Sequence, residues 1–451
     1  MRKNAMVRGV ISLMTSTFLV KVIGVVYRIP LTNLLGTAGL GLYQMVFPVY
    51  TLLLDFSGAG MPSAISKAIS SSNAENKETI AKGYLKSSLK TLTAVGVVGT
   101  VVMLALSYPV SILQGNIKAV WGYLFLSPAV FFVSMISCFR GYFQGLMLMS
   151  PTSVSQIIEQ VAKLILGLFF AFLFMPNVPL AVAGATLGVT LSESVALIYL
   201  YVTYKKRSKK IGIENAVAKT DKGMIKTLVK IAVPVTLCGI MIPLSHFIDS
   251  FIVVNVLKTY RADATSLYGI LSGVVHTVIG LPVGLCYAFA VTAIPGVGSK
   301  KLFQDKIKKA NDGILITGVV AFLCTAVCYF FASPVINVLF PALSSVEKNT
   351  AVTLLRLTAP CILLLSVLQT SNSSLVAMDK PYVPVISLGV GITVKTLLSI
   401  LLISNPQINI YGSAFALIAC YFIAVMINFI VILVSGAKDG VKTYNAWEGK
   451  T

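Results

Sequence analysis

Charged residues are scarce in this sequence, and long polar stretches are nearly absent. Only 11% of the 451 residues are Asp, Glu, Lys or Arg, whereas soluble domains average about 25%. Since 56% of the residues are hydrophobic, no soluble fold could bury so much apolar surface. The apolar residues form blocks of about 20 or more, enough for an α-helix to cross a bilayer core of about 30 Å. The sequence therefore predicts an all-α integral membrane protein.

The usual features of enzymes and metal proteins are missing as well. The sequence has no nucleophile elbow, P-loop or metalloprotease motif, and its polar loops are too short for a domain that hydrolyses ATP. The seven cysteines lie inside apolar segments without zinc-like or redox-motif spacing. Lys21 interrupts the first apolar run, which argues against a cleaved signal peptide. We expect no enzymatic activity, no cofactor and no metal.

Twelve spans are predicted, and the distribution of Lys and Arg supports this layout. When Arg8, at the edge of the first span, is counted with the N-terminal segment, 27 of these residues fall outside the spans on the side that holds both termini and 4 on the other. Because cytoplasmic loops are rich in Lys and Arg, both termini are predicted to be cytoplasmic, in the inner membrane of a bacterial cell. The net charge of +21 then reflects orientation rather than nucleic-acid binding. The predicted spans are 8–30, 41–66, 91–107, 120–139, 153–175, 181–204, 231–255, 265–298, 313–334, 350–376, 383–404 and 410–436.

The two halves of the chain resemble each other. A motif ending at Pro151 precedes Lys163 and a glycine at 184; a similar motif ending at Pro381 precedes Lys395 and a glycine at 412. The offsets of 228–232 are nearly constant, so the repeat is parallel, as in many secondary transporters. We predict two six-helix lobes around a central cavity. The predicted boundaries are 1–204 for the first lobe, 205–230 for a basic cytoplasmic linker, 231–436 for the second lobe and 437–451 for a cytoplasmic tail.

Charges inside predicted spans are candidate site residues, because a charge in the bilayer is costly unless it faces the protein interior or a wet cavity. In the first span, Lys21 and Arg28 share a helix face, about 10 Å apart. They form a cationic stripe, or Arg28 extends to the outer interface and Lys21 pairs with a carboxylate. Asp55 lies where Gly58, Gly60 and Pro62 weaken the second span, and it either pairs with a cation or binds substrate or an ion.

Further charged pairs occur in later spans. Glu159 and Lys163 are spaced to form an ion pair within one helix, or to contribute to the site. His246 and Asp249 share a face of the seventh span, as a proton or cation site or as a structural hydrogen-bonded pair. The remaining candidates inside spans are Glu193, Arg356 and Lys395.

Three strings carry a resemblance to a known family: RGYFQGLMLMSPTSVSQIIEQVAK from Arg140 to Lys163, GLYQMVFPVY from Gly41 and PSAISKAIS from Pro62. They resemble the polysaccharide transport branch of the multidrug/oligosaccharidyl-lipid/polysaccharide flippase superfamily, and within it the stage V sporulation protein B group. The likeness extends over essentially the whole chain.

This resemblance implies a fold with two parallel six-helix lobes, as in multidrug and toxin extrusion (MATE) transporters. It implies alternating access that moves an undecaprenyl-pyrophosphate-linked saccharide, such as a peptidoglycan precursor, from the inner to the outer leaflet. Lys21 and Arg28 match basic first-helix residues of lipid II flippases. Those flippases have fourteen spans, so this chain lacks a pair often tied to the lipid tail.

The substrate-binding set expected from charge and resemblance comprises Lys21, Arg28, Asp55, Lys67, Arg140, Glu159, Lys163, Arg356 and Lys395, with His246 and Asp249 for ion coupling. Cations outnumber carboxylates by one among the charges inside spans, and Arg and Lys suit a pyrophosphate. A proton- or sodium-coupled drug exporter of the MATE type is the alternative, with a carboxylate site at Asp55 or Asp249. We expect the partners to be a lipid-linked saccharide, the bilayer and H⁺ or Na⁺, with the chain a monomer.

Overall fold

The computed structural model describes residues 2–56, 60–71, 77–210, 222–286, 303–378 and 380–448. These ranges are nearly all helical and contain no β-strand, as the hydropathy pattern predicted. The helices are α1 (Arg2–Leu54), α2 (Met61–Ser70), α3 (Lys77–Leu113), α4 (Val120–Gly145), α5 (Met149–Leu173), α6 (Val178–Lys210), α7 (Lys222–Lys258), α8 (Ala264–Cys286), α9 (Phe303–Phe330), α10 (Ala332–Leu339), α11 (Ser345–Thr358), α12 (Pro360–Ala377), α13 (Tyr382–Ile403) and α14 (Tyr411–Glu448).

Eleven segments in the described ranges are long and apolar enough to cross a membrane. The predicted all-α membrane fold is thereby confirmed, although twelve spans were expected. The count is one lower because the segment Leu19–Leu54 contains two helical stretches joined at Gly36, and this glycine lies between the first two predicted spans. The eleven segments are Leu19–Leu54, Glu78–Leu113, Ile117–Gly145, Met149–Leu173, Val178–Lys210, Gly239–Lys258, Ala264–Cys286, Asp305–Phe330, Pro360–Ala377, Tyr382–Ile403 and Tyr411–Ser435.

Helix α1 bends at a glycine and ends near the weak point expected from the sequence. Gly36 has a φ of 66°, a left-handed conformation that costs a glycine little, and it joins two helical stretches. The predicted span 41–66 is interrupted where the sequence indicated a weak helix, because α1 stops at Leu54. Helix α2 then begins at Met61 with a proline in its first turn, where the missing N–H costs no hydrogen bond.

The predicted tenth span, 350–376, also divides into two helices. Helix α11 ends at Thr358, and α12 restarts at Pro360, whose ring cannot continue the hydrogen-bond ladder of α11. Only α12 is apolar enough to cross a membrane. Arg356 consequently lies on an exposed face of α11, and its predicted position inside a span is wrong.

Contacts group the chain into two compact units. The first holds residues up to Asn255 together with Thr265–Gly269, and the second holds Val256–Ala264 and the residues from Ile270 onward. Helix α7 thus packs with the first unit, although the sequence assigned 231–255 to the second lobe. The lobe boundaries at the linker 205–230 stay a prediction.

Each unit contains a helix pair that approaches closely at a glycine of the sequence repeat. In the first unit, a Cβ on Gly184 of α6 would lie 2.4 Å from the Phe170 carbonyl oxygen of α5. In the second unit, a Cβ on Gly412 of α14 would lie 2.6 Å from the Cβ of Leu402 on α13. The two glycines are 228 residues apart, and the residues that they contact, Phe170 and Leu402, are 232 apart. Both values fall in the range of offsets of the sequence repeat. Only glycine allows this packing at both positions.

Candidate functional site

The site in the first unit is built around an ion pair that the sequence did not predict. Arg140 of α4 donates through Nη2 to Glu159 Oε2 of α5 at 2.7 Å, and through Nε to Ser155 Oγ at 3.1 Å. Gln160 Nε2 donates to the other Glu159 oxygen at 3.0 Å. Both ion-pair side chains are only 16% exposed. This arrangement satisfies the Glu159 carboxylate without Lys163.

Arg140 lies within the last two turns of α4, whereas the predicted span 120–139 placed it in the loop that follows. Helix α4 continues to Gly145, and the candidate span includes the arginine. A charge can remain in the helix there because a carboxylate and a hydroxyl take its hydrogen bonds.

Lys163 lies against aromatic rings and does not form the predicted ion pair with Glu159. Its Nζ is 4.8 Å from the centroid of the Phe47 ring and 5.4 Å from that of Tyr27, both on α1. These distances allow cation–π attraction, which is stronger where water is excluded. Because the Glu159 oxygens already have donors, the ammonium keeps hydrogen-bonding capacity for a ligand.

Further charged groups surround Lys163. Arg28 of α1, Glu159 and Glu193 all lie within electrostatic range of its ammonium group. Glu193, on α6, is 7% exposed and also lies within range of Arg140. The Arg140–Glu159 pair has no net charge. The remaining groups are two cations, Arg28 and Lys163, and one carboxylate, Glu193. The cluster therefore carries a net charge of +1 when all five groups are ionised.

One face of α1 lies along α5 at this cluster. A Cβ on Gly24 would be 3.8 Å from Gln160 Oε1, so the glycine brings α1 close to the polar face of α5. One turn on, the Tyr27 hydroxyl would lie 2.7 Å from a Cβ on Gly167. Lys21 and Arg28 flank this contact, and both are partly buried. Arg28 thus belongs to the cluster, and Lys21 lies two turns before it on α1.

The structure places other predicted site residues away from this cluster. Asp55 follows the end of α1, about 12 Å along the helix axis from Phe47. Among the described side chains, no cation lies within ion-pairing distance of it. Lys67 is exposed in the last turn of α2. His246 and Asp249 are half-buried one turn apart on α7, outside the helices that carry the cluster.

In the second unit, Lys395 of α13 is buried, with 3% of its surface exposed. Its charge lies within electrostatic range of the buried thiol of Cys361 on α12. Arg356 is exposed on α11 and joins no such site. No group of three or more His, Cys, Asp or Glu side chains able to hold a metal occurs in the described part of the chain.

The aromatic part of the site was missed from the sequence. Tyr43, Phe47 and Tyr50 recur at intervals of four and three residues on one face of α1. Tyr43 lies within electrostatic range of Arg28, and Tyr50 within range of Glu159 and Glu193. The spacing was visible in GLYQMVFPVY, but apolar spans contain many aromatic residues at helical intervals.

Comparison with known proteins is consistent with this architecture. The sequence profile described as polysaccharide biosynthesis protein matches residues 6–299, more than half of the chain. Lipid II flippase MurJ of Bacillus subtilis (strain 168) is 26% identical over 95% of this chain and 82% of its own. Stage V sporulation protein B of the same organism is 26% identical over 93% and 82%.

A solved structure shares the fold. An inward-facing multidrug resistance MATE family transporter of the MOP superfamily superimposes with a TM-score of 0.76, covering 95% of this chain and 94% of that one, at 15% identity. This confirms the MATE-like fold expected from the sequence. The profile match extends over the helices that carry the cationic cluster. The chain belongs to the polysaccharide biosynthesis protein family.

Proposed function

We propose that this protein moves an undecaprenyl-pyrophosphate-linked saccharide from the inner to the outer leaflet by alternating access. The observation that carries the proposal is the position of Lys163, held over the Tyr27 and Phe47 rings beside Arg28 while Arg140 takes the Glu159 carboxylate. The arrangement leaves an excess of positive charge on the membrane-spanning helices. An anionic head group would neutralise that excess.

The chemistry of the cluster suits a pyrophosphate. Arg28 offers a planar set of donors that can bind two phosphate oxygens at once, and Lys163 offers a compact charge with rotatable donors. Hydrogen bonds that involve charged groups are each worth about 1.5–3 kcal/mol. In this role Lys21 draws the head group toward the cluster, and Arg140 and Glu159 hold α4 against α5.

The relatives support the class of substrate. One relative is named a lipid II flippase and another a stage V sporulation protein, and both are similar over most of this chain. We infer a membrane transporter of cell-wall or polysaccharide precursors that works as a monomer with two six-helix lobes. Its partners are the lipid-linked saccharide and the surrounding phospholipid bilayer.

The proposal is tested by reconstituting the full chain in proteoliposomes with a fluorescent undecaprenyl-pyrophosphate-linked saccharide. We expect transfer to the opposite leaflet with the wild type, and a loss of at least tenfold with Lys21→Ala/Arg28→Ala. Lys118→Ala, which removes an exposed cation outside the cluster, is the matched control. Equal transfer by the wild type and the double variant would refute this assignment.

A MATE-type drug exporter coupled to protons or sodium is the second candidate, because the chain shares the fold of such a transporter. It would use carboxylates, and Glu159 and Glu193 lie at the cluster while Asp249 lies beside His246 on α7. Ethidium efflux driven by a proton gradient, without movement of the lipid-linked saccharide, would support this candidate. The positive charge of the cluster favours the flippase.

Ion coupling is assigned by the same proposal to His246 and Asp249. They lie one helical turn apart on one face of α7, a helix that carries none of the cluster residues, and such a pair could share a proton or Na⁺. Asp249→Asn should abolish the dependence of transport on a proton or sodium gradient while leaving binding of the lipid-linked saccharide unchanged. Loss of binding together with the gradient dependence would contradict the assignment.

A further inference from the structure

The polar ends of four helices in the first unit lie close together. Arg207, near the end of α6, forms an ion pair with Glu78 at the start of α3 at 2.6 Å. Ser87 of α3 lies 4.0 Å from the Met224 sulfur of α7. One apolar cluster joins side chains of α2, α3, α6 and α7 just below these ends. The basic residues of the four ends therefore share one face of the unit.

Among the described residues, this face carries a large positive charge with almost no compensation. In the described residues 61–71, 77–95, 200–210 and 222–237 there are thirteen Lys and Arg and one acid, Glu78. Glu78 is already paired with Arg207. Clusters of basic residues at the ends of membrane helices attract anionic lipid head groups, each contributing about 1 kcal/mol. The cationic residues are Lys67, Lys77, Lys82, Lys86, Lys90, Lys205, Lys206, Arg207, Lys209, Lys210, Lys222, Lys226 and Lys230.

An apolar cavity of about 330 Å³ begins next to this face. It lies among α3, α7 and the start of α2, and its walls include Leu92 and Val95 of α3. On α7, Val229, Val233 and Leu237 line the cavity, and each is more than 40% exposed. The cavity is thus open along α7, and its volume is within the range of sites for small apolar ligands.

Two lysines of α7 lead directly into this opening. Lys226 precedes Val229 by three residues and Val233 by seven, and Lys230 precedes Val233 by three. Residues at these intervals share a helix face, so the charges and the exposed valines form one continuous stripe. Both lysines are exposed. The stripe is cationic at one end and apolar along the rest of its length. These properties match an anionic amphiphile.

We propose that this stripe binds an anionic membrane phospholipid, with its phosphate at Lys226 and Lys230 and one acyl chain along Val229, Val233 and Leu237 into the cavity. Exposed lysines suit a lipid head group, because they contact phosphate without enclosing a sugar. A saccharide would need many buried polar groups. This cavity is lined by apolar residues and by only three polar ones, Ser88, Thr91 and Thr236.

The bound lipid would lie against the break between α1 and α2. Thr236 lines the cavity and accepts a hydrogen bond from the Gly60 amide at 3.2 Å. A Cβ on Gly60 would lie 2.3 Å from the Ala232 carbonyl oxygen, so α7 and this segment pack without a gap. The lipid therefore stabilises α7 against the start of α2.

The test is native mass spectrometry of the full chain, titrated in detergent with phosphatidylglycerol or phosphatidylcholine. We expect the wild type to retain phosphatidylglycerol in preference to phosphatidylcholine, and Lys226→Gln/Lys230→Gln to weaken the apparent affinity for phosphatidylglycerol about 30-fold.

Lys86→Gln/Lys90→Gln is the matched control and should retain wild-type affinity. It removes two exposed charges at the same end of the unit, but on the face of α3 away from the cavity. Val233→Trp should also lose the lipid, with all charges in place.

Three results would overturn the proposal. Equal retention of both lipids would exclude recognition of the anionic head group. An equal loss in the Lys86→Gln/Lys90→Gln control would mean that only the overall charge matters. Displacement of phosphatidylglycerol by equimolar undecaprenyl phosphate would assign the groove to the transported lipid. None of these depends on saccharide transport, so failure here is distinct from failure of the flippase proposal.

Discussion

At the scale of single residues, the site divides its charges between a structural and a functional role. Arg140 and Glu159 neutralise each other at 2.7 Å, and this pair is largely shielded from water. Lys163 lies over two rings beside Arg28. Because the carboxylate nearest in sequence is committed to Arg140, the lysine can bind an external anion. Sequence spacing alone allowed a different pairing, Glu159 with Lys163.

Removing one member of the ion pair should destabilise the protein. Arg140→Met leaves the Glu159 charge without its partner, and such changes cost about 3 kcal/mol. Arg140→Met/Glu159→Leu should recover most of this loss, since a buried site usually tolerates an apolar pair of similar volume in place of an ion pair. Thermal unfolding in detergent measures both variants. A single variant as stable as the wild type would contradict the structural role of the pair.

At the scale of helices, contacts between glycine and backbone set the packing in both units. Gly188 of α6 approaches Gly167 of α5, where a Cβ would lie 2.3 Å from the Gly167 Cα. Gly391 of α13 approaches the carbonyl oxygen of Cys420 on α14, with a corresponding distance of 2.6 Å. Small residues at such contacts let membrane helices pack by van der Waals contact and Cα–H hydrogen bonds. The helices could not remain as close with a larger residue there.

Two glycines of α13 provide a controlled test of this packing. Gly391→Ala places a methyl group against the Cys420 carbonyl oxygen and should destabilise the protein by about 2 kcal/mol. Gly389→Ala, on the same helix, meets nothing within 4 Å and should be neutral or stabilise by a few tenths of a kcal/mol. Unfolding midpoints of the two purified variants make the comparison. If both alanines have the same effect, the close contact does not determine stability.

Hydropathy predicted most spans but not the breaks within them. Apolar blocks of sufficient length located the helices because a membrane span must be long and apolar. The break between Thr358 and Pro360 depends on local backbone geometry, and it moved Arg356 out of the tenth span. Asp55 was placed correctly beside a weak segment, because Gly60 and Pro62 signal helix breaks directly.

The candidate site was predictable only in part, for a similar reason. Charges in apolar segments stand out in a sequence, so Arg28, Glu159 and Lys163 were identified. Their partners depend on how α1, α4 and α5 pack, which one sequence does not specify. Arg140 was therefore placed outside the span, and the aromatic residues around Lys163 were overlooked.

At the scale of the whole molecule, the asymmetry of basic loops predicts the orientation in the membrane. Outside the predicted spans, with Arg8 counted in the N-terminal segment, Lys and Arg number 27 on the side of the termini and 4 on the other. Such asymmetry directs insertion, because basic loops stay cytoplasmic. Lys118 precedes α4 on one side, and Lys205, near the end of α6, belongs to the other side. Both are exposed.

Cysteine labelling tests this orientation in intact cells. A membrane-impermeant maleimide should label Lys118→Cys in intact cells and Lys205→Cys only after permeabilisation. The wild type is the control for the native cysteines, which lie within predicted spans. The reverse pattern would place both termini outside the cell.

The most direct test of the central claim is translocation of a fluorescent undecaprenyl-pyrophosphate-linked saccharide by Lys163→Gln in proteoliposomes. Loss of the charge should slow transfer by at least tenfold, since a charged hydrogen bond contributes about 1.5–3 kcal/mol. Lys163→Arg keeps the charge and the contact with the rings, and should retain most of the activity. Transfer by a correctly folded Lys163→Gln at the wild-type rate would contradict the claim that the cluster over Tyr27 and Phe47 recognises the anionic head group.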